Sequence, residues 1–163
     1  MLIRDLKAAD LPAMAEIYND AVVNTTSIWN DALVDVDNRR AFVGMRRELG
    51  FPVIVAEVDG EVAAYATFGD FRSFAGYRHT VEHSIYVDKR FRRRGIARAL
   101  LNSLEAEARL RAKHVMLGGI SADNEASLKL HADLGFREVA RMPEVGRKFD
   151  RWLDLVFMQK ILR

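Results

Sequence analysis

Apolar residues recur along this chain with two different periods, and the places where one gives way to the other outline its elements. Residues 2–6 read as a short strand. Asp10 then stands where a helix N-cap belongs, ahead of Leu11, Met14, Ile17, Tyr18, Ala21 and Val22 at helical spacing. Asp35 is placed to cap a second helix running toward Gly50, a residue suited to the left-handed turn that ends a helix. From Val53 the period drops to two. Residues 53–58 and 61–68 predict paired antiparallel strands, because Asp59-Gly60 between them tolerates the positive φ angles of a two-residue hairpin.

A loop rich in aromatics and glycine, residues 69–77, leads to a predicted strand over 80–87. A helix opening at Gly95 presents Ile96, Leu100, Leu101, Leu104 and Ala108 on one face, and residues 114–118 form the next strand. Strand, helix and strand in succession make a crossover, which sets its two strands parallel in one sheet. A helix over 124–134 stops at Gly135, and strands over 136–141 and 152–160 complete the set. Hairpins at one end and a crossover at the other predict a mixed α/β fold rather than a doubly wound parallel sheet.

Composition narrows the picture. A chain of 163 residues, 50% hydrophobic and 29% charged, suits a single domain spanning 1–163. Ten Gly and three Pro are too few for a fibrous or disordered chain. With no Cys, a disulfide scaffold, a thiolate zinc site and a cysteine nucleophile are excluded, and with four His no metal is expected. The charged opening Met1-Leu2-Ile3-Arg4-Asp5 and the lack of a long apolar run point to a cytoplasmic protein that does not cross a membrane.

A net charge of +2 does not call for a nucleic-acid partner, yet Lys89, Arg90, Arg92, Arg93, Arg94 and Arg98 crowd the turn before the helix at Gly95. The exposed N–H groups of a first helical turn and the positive end of the helix dipole attract phosphate there, and the small residues Gly95 and Ala97 let a ligand approach the backbone. The segment has neither the Gly-Lys-Ser/Thr of a phosphate loop nor the three glycines of a dinucleotide fingerprint. A solvated basic loop before an ordinary helix is the plain alternative.

Arg92-x-x-Gly95-x-Ala97 resembles the Gln/Arg-x-x-Gly-x-Gly/Ala signature of the Gcn5-related N-acetyltransferases (GNAT), whose loop wraps the pyrophosphate of acetyl-CoA. Asn124 followed by Leu134-Gly135-Phe136 is similar to the family's second acetyl-CoA element. Longer strings extend the resemblance over nearly the whole chain, toward the phosphinothricin and methionine sulfoximine N-acetyltransferase branch: Ile28-Trp29-Asn30, Gly69-Asp70-Phe71-Arg72-Ser73-Phe74, His79-Thr80-Val81-Glu82-His83-Ser84 and Phe149-Asp150-Arg151-Trp152-Leu153-Asp154-Leu155.

The resemblance implies a GNAT-like mixed, mostly antiparallel sheet of about seven strands flanked by helices, with a splayed central strand pair. It implies acetyl-CoA as cosubstrate, held by Ile85, Tyr86, Val87, Arg93, Arg94, Gly95, Ile96, Ala97, Arg98 and Asn124. It also implies a small amino acid analogue as acceptor and a homodimer, to which the apolar residues 153–158 would contribute. Two departures stand out: Arg94 occupies a position where many members have Gly or Lys, and His131 one where many have a Tyr thought to protonate the leaving thiolate.

An amine of ordinary pKa is largely protonated near neutrality, so acetyl transfer to it needs a proton acceptor. Glu82, on the strand just before the cofactor segment, is the candidate catalytic base, and strand alternation should turn it and His83 to opposite faces. Arg72 offers a planar fork to an amino acid carboxylate, and Ser73, Phe74, Glu82, His83 and Ser84 complete the expected substrate set. Trp29 and Phe74 are candidates for the wall of an apolar pocket. Three readings compete: a small-molecule N-acetyltransferase working by direct attack, a protein or peptide N-acetyltransferase, and a basic nucleic-acid-binding module. The last is the weakest, since one basic loop without a recognition helix or stacking aromatics gives mostly nonspecific binding.

Overall fold

In the computed structural model, which describes residues 1–163, the two periods sort into seven strands and four α-helices. They run β1 (Leu2–Asp5), α1 (Leu11–Asn24), α2 (Val36–Glu48), β2 (Val53–Val58), β3 (Glu61–Asp70), β4 (Thr80–Val87), α3 (Ile96–Leu110), β5 (Val115–Ser121), α4 (Glu125–Asp133), β6 (Arg137–Lys148) and β7 (Arg151–Ile161). One sheet holds every strand in the order β1-β2-β3-β4-β5-β7-β6. All neighbours are antiparallel except β4 and β5, the pair joined through α3, as the crossover requires.

The helices take opposite faces. Leu100, Leu101 and Leu104 of α3 are fully buried against Ala64, Ala66 and Val81, and Leu128 of α4 joins the same cluster. Each such leucine contributes about 1.5–3 kcal/mol by leaving water. On the other face Met14 and Ile17 of α1 and Val43 of α2 pack on Val55 and Tyr65. Successive residues of β4 therefore address different layers: Val81 and Ile85 belong to the α3 side, Tyr86 to the α1/α2 side.

The local signals have visible causes. The Asp35 carboxylate accepts from the Asn38 N–H at 2.8 Å and caps α2. Asp59 and Gly60 turn the β2–β3 hairpin with φ of 52° and 83°. Asp10 does not cap α1. It already lies in the right-handed helical region, as the last residue of a 3₁₀ turn, so its carboxylate folds back onto the Lys7 N–H (2.7 Å) and Arg4 (2.7 Å). Strand β6 runs well past residue 141 because its ladder with β7 continues along an exposed edge with no apolar alternation to mark it.

The apolar residues of 153–158, expected to contribute to an interface, differ in burial. Leu153, Val156 and Met158 are buried in the chain's own core. Leu155 and Phe157 are half-buried, and the exposed apolar side chains of this region include Val139, Met142, Val145, Phe149, Trp152 and Ile161.

Candidate active site

Strands β4 and β5 pair only at Thr80, Val81 and Glu82, opposite Val115, Met116 and Leu117. Beyond Glu82 they part, while β3 stays paired with β4 as far as Val87. The edge of Ile85, Tyr86 and Val87 that faces away from β3 is thus free for another partner's amides. The opening is a cavity of about 350 Å³ reaching from Glu82 and Gly119 to Asn124 and His131. It shares Ile85, Tyr86, Val87, Ala97 and Asn124 with a second cavity of about 610 Å³ that extends to Arg92 and Arg151. Together they form a passage through the sheet, with the basic turn at one end and Glu82 at the other.

At the basic end, Gly95 takes φ +77° and ψ 4°, the left-handed conformation in which a side chain is strained. The first helical bond runs from the Ala99 N–H to the Gly95 carbonyl, so the N–H groups of Ile96, Ala97 and Arg98 have no acceptor within α3. Most of the surrounding cations are already engaged: Lys89 with Asp20, Arg90 with Asp88 and Glu61, Arg92 with Asp20, and Arg98 with Asp133. Arg93 makes no ion pair, and neither does Arg94, which lies over the Phe91 ring at 5.3 Å. These two arginines and the three N–H groups are the unspent positive charge of the turn, and they suit a pyrophosphate. Asn124 lies farther along the passage. Its Oδ1 accepts from the Ser127 N–H at 3.2 Å and caps α4, while its side-chain NH₂ has no partner in the chain.

At the other end, Glu82 and His83 point to opposite faces, with no bulge in the β3–β4 register. Burial pushes the Glu82 carboxyl above its usual range, and the nearby Arg46 guanidinium pulls it partly back. A Cβ placed on Gly119 would lie 2.8 Å from Glu82 Oε1. The same relation recurs around the site: a Cβ on Gly118 would lie 2.8 Å from His83 Nε2, one on Gly69 would strike the Arg46 guanidinium, and one on Gly146 the Trp29 ring.

His83 and His131 stack with their Nε2 atoms 3.0 Å apart. The Ser127 carbonyl, 2.7 Å from His131 Nδ1, can only accept, so that nitrogen carries the proton. His131 Nε2 then accepts from His83, whose own Nδ1 is buried without a partner. Burial, reinforced by His131, pushes His83 down to about 3; burial also lowers His131. The pair is neutral at physiological pH, and His131 holds no imidazolium proton to donate.

Arg72, Ser73 and Phe74 sit in an exposed segment after β3 and do not line either cavity. Arg72 lies over the Phe71 ring (5.1 Å), Phe71 packs edge-on against Phe157 (5.9 Å), and Phe157 flanks the Gly119 position where Glu82 rests. Ser84 and the expected cofactor residues Ile85, Tyr86, Val87, Ala97 and Asn124 all line the passage. Of the aromatic wall, Trp29 is present and Phe74 is 75% exposed.

Three features escaped the sequence. Arg46 of α2 faces the sheet and acts on Glu82 by its charge, yet nothing in the helical pattern distinguishes it from a solvated arginine. Lys148 is buried and donates to the carbonyls of Thr25 (2.7 Å) and Ile28 (2.6 Å), clasping the segment that carries Ser27 and Trp29 to the cavity. Arg151 and Thr26 both bond Asp123, tying the same segment to the start of α4; burial works to raise Asp123, but Ser121, Arg151 and Thr26 hold it down to about 2.

Residues 14–136 match the model of the acetyltransferase (GNAT) family. The L-amino acid N-acyltransferase MnaT of Escherichia coli K12 is 55% identical over 159 residues, covering 98% of this chain and 92% of the relative. The L-methionine sulfoximine/L-methionine sulfone acetyltransferase of Salmonella typhimurium LT2 is 54% identical, covering 98% and 93%. A solved structure of yncA from Salmonella typhimurium, with its cofactor acetyl-CoA, superposes with a TM-score of 0.97 at 53% identity, covering 99% of this chain and 94% of that one.

Proposed function

Belonging to the acetyltransferase (GNAT) family, the chain is an acetyl-CoA-dependent N-acetyltransferase, and we propose that its acceptor is the α-amino group of a small amino acid of the methionine sulfoximine, methionine sulfone or phosphinothricin kind. The observation that carries the reading is the passage itself, which joins an anion site at the start of α3 to a half-buried carboxylate at Glu82. The similarity to enzymes acting on such amino acids supports it from outside the structure.

Acetyl-CoA supplies an electrophilic thioester carbon. Arg93, Arg94 and the N–H groups of Ile96, Ala97 and Arg98 hold its pyrophosphate, Asn124 meets the pantetheine arm, and the free edge of Ile85 to Val87 pairs with the arm's amides. Glu82 takes the proton from the acceptor ammonium, directly or through one water, which its raised pKa favours. The neutral amine then forms the N–C bond as the C–S bond breaks, and the nitrogen sheds its second proton to solvent to leave the neutral amide. With no Cys in the chain, no thiolate is available to form an acyl-enzyme. The leaving thiolate takes its proton from solvent, since His131 is neutral with both ring nitrogens engaged.

Arg72, held over Phe71 at the Glu82 end, clamps the acceptor carboxylate. Exposed Val139, Met142, Val145 and Trp152 on β6 and β7 supply the apolar part of a homodimer contact. The site of action is the cytoplasm; no helix is long and apolar enough to cross a membrane.

The test follows thiol release from acetyl-CoA with methionine sulfone, its methyl ester and a peptide amine. The free amino acid should be preferred over the ester by about 10- to 150-fold in kcat/KM, and that preference should vanish in Arg72→Ala. Equal rates on acid and ester refute the clamp, and activity on the peptide alone transfers the chain to the protein-acetyltransferase reading.

A further inference from the structure

A third cavity, of about 150 Å³, lies between the α1/α2 layer and strands β3 and β4. Two arginines of α2 line it. The Arg39 guanidinium lies over Tyr18 (4.4 Å) and Phe42 (4.8 Å), and that of Arg46 over Phe42 (5.0 Å). Neither has an ion-pair partner. Arg39, 8% exposed, bonds its neighbour Asn38 and lies close to the Tyr65 hydroxyl, and Arg46 Nε is buried with no partner at all. Beneath them the Tyr65 hydroxyl is also buried, in a residue only 1% exposed, with Arg39 as its neighbouring donor and no acceptor for its own proton. Buried donors are nearly always satisfied, so an unused guanidinium nitrogen and an unused phenol proton facing one small space require an explanation.

Ser84 and Tyr86 line both this chamber and the cavity that contains Glu82, so the two spaces share a wall. The polar groups that converge on the chamber are donors or hydroxyls. No carboxylate lines it, and the Thr67 hydroxyl is already committed to the Pro52 carbonyl at 2.7 Å. Such a lining fits a group rich in oxygen lone pairs and poor in protons.

We propose that this chamber is the subsite for the oxygen-bearing end of the acceptor side chain, a sulfonyl, sulfoximine or phosphinate group received by Arg39, Arg46 and the Tyr65 hydroxyl. The inference rests on the amino acid acceptor reading above and deepens it. With the α-amino group at Glu82 and the carboxylate at Arg72, the side chain is the part left to turn behind Ser84 and Tyr86. The chamber then selects oxidised side chains over thioethers, because an unoxidised methionine would leave the donors buried and unpaired.

The substrate pair methionine sulfone and methionine deletes the oxygens from the ligand; Tyr65→Phe and Arg46→Gln delete their partners from the protein. The kcat/KM ratio, sulfone over methionine, is measured for the parent and both variants at a pH well above the acidic limb, with thermal melting and acetyl-CoA titration as controls. The parent should prefer the sulfone. The ratio should fall about 5-fold in Tyr65→Phe and about 10-fold or more in Arg46→Gln. Loss of a merely structural role would lower both substrates together and leave the ratio standing, which overturns the proposal; Tyr65→Phe alone suffices if Arg46→Gln does not fold. If the parent acetylates neither amino acid, the acceptor reading fails and the chamber with it, whereas an unchanged ratio with both acetylated refutes the chamber alone.

Discussion

Asn124 has two roles that a pair of substitutions separates. Its Oδ1 caps α4 through the Ser127 N–H, and its NH₂ is free toward the passage. Asn124→Ala removes both groups. Loss of an N-cap costs about 1 kcal/mol, within a range of roughly 0.5–2, and in a chain of this size each kcal/mol lowers the melting temperature by about 2–4 °C. Asn124→Asp keeps the acceptor, since the two residues cap equally well, and adds a charge that the helix N-terminus favours, so its melting temperature should stay within a degree or so of the parent. It lacks the donor, however. A neutral hydrogen bond contributes about 0.5–1.5 kcal/mol, so acetyl-CoA affinity should drop about 2- to 13-fold, and further if the new carboxylate repels the polyanionic ligand. Scanning calorimetry gives the first quantity and titration calorimetry with acetyl-CoA the second. If Asn124→Asp melts and binds like the parent while Asn124→Ala melts lower, the residue is a helix cap and nothing more.

Three further outcomes are expected. Glu82 must be ionised to accept a proton, so kcat/KM should fall on the acid side along a limb set by a carboxyl that burial has raised; Glu82→Gln should flatten that limb, and Arg46→Gln, which removes the influence pulling Glu82 down, should move it to higher pH. A pH profile unchanged in both variants would dismiss Glu82 as the base. Gly95→Val forces a β-branched residue into φ +77° at a cost of about 1–2 kcal/mol, but its Cβ meets nothing within 4 Å in the chain. Acetyl-CoA affinity should therefore drop by more than this strain accounts for, and unchanged affinity in a folded variant would remove the pyrophosphate from the turn. Lys148→Met strips the Thr25 and Ile28 carbonyls of their donor and should cost about 1–3 kcal/mol in chemical denaturation, with a raised KM for the acceptor as Trp29 loosens; a variant with parental KM would mean the clasp does not shape the cavity.

What could be read beforehand follows from how far each signal travels along the chain. The α3 stripe, the Asp59-Gly60 turn and the α3 crossover are local patterns, and each appears where the spacing puts it. The basic turn was legible as a cluster, but not which of its cations are free: Arg93 and Arg94 differ from Lys89 and Arg92 only because Asp20, far away in α1, neutralises the latter two. Strand alternation separated Glu82 from His83, yet their protonation depends first on burial and then on Arg46 and His131, all set by packing between α2, α4 and the sheet. The exposed edge strand β6 lacked any period, so its true length emerged only from its pairing with β7.

Gly69, Gly118, Gly119 and Gly146 each lie under a side chain that occupies the place of an absent Cβ: Arg46, His83, Glu82 and Trp29 in turn. A pleated sheet is a crowded floor, and large groups that must stand close together at one spot need depressions in it. Gly118-Gly119 is a poor choice for strand propensity, with an entropic cost of about 0.5–1 kcal/mol per residue relative to alanine. Its return is topography. The Glu82 carboxylate and the imidazole pair are seated by what β5 leaves out, so that the smallest change the genetic code offers here, one methyl group at Gly119, should displace Glu82 while adding backbone stiffness to the strand. Mutational drift at this floor would then surface as a well-folded protein with misplaced chemistry, in which the lesion and the residue that fails are on different strands.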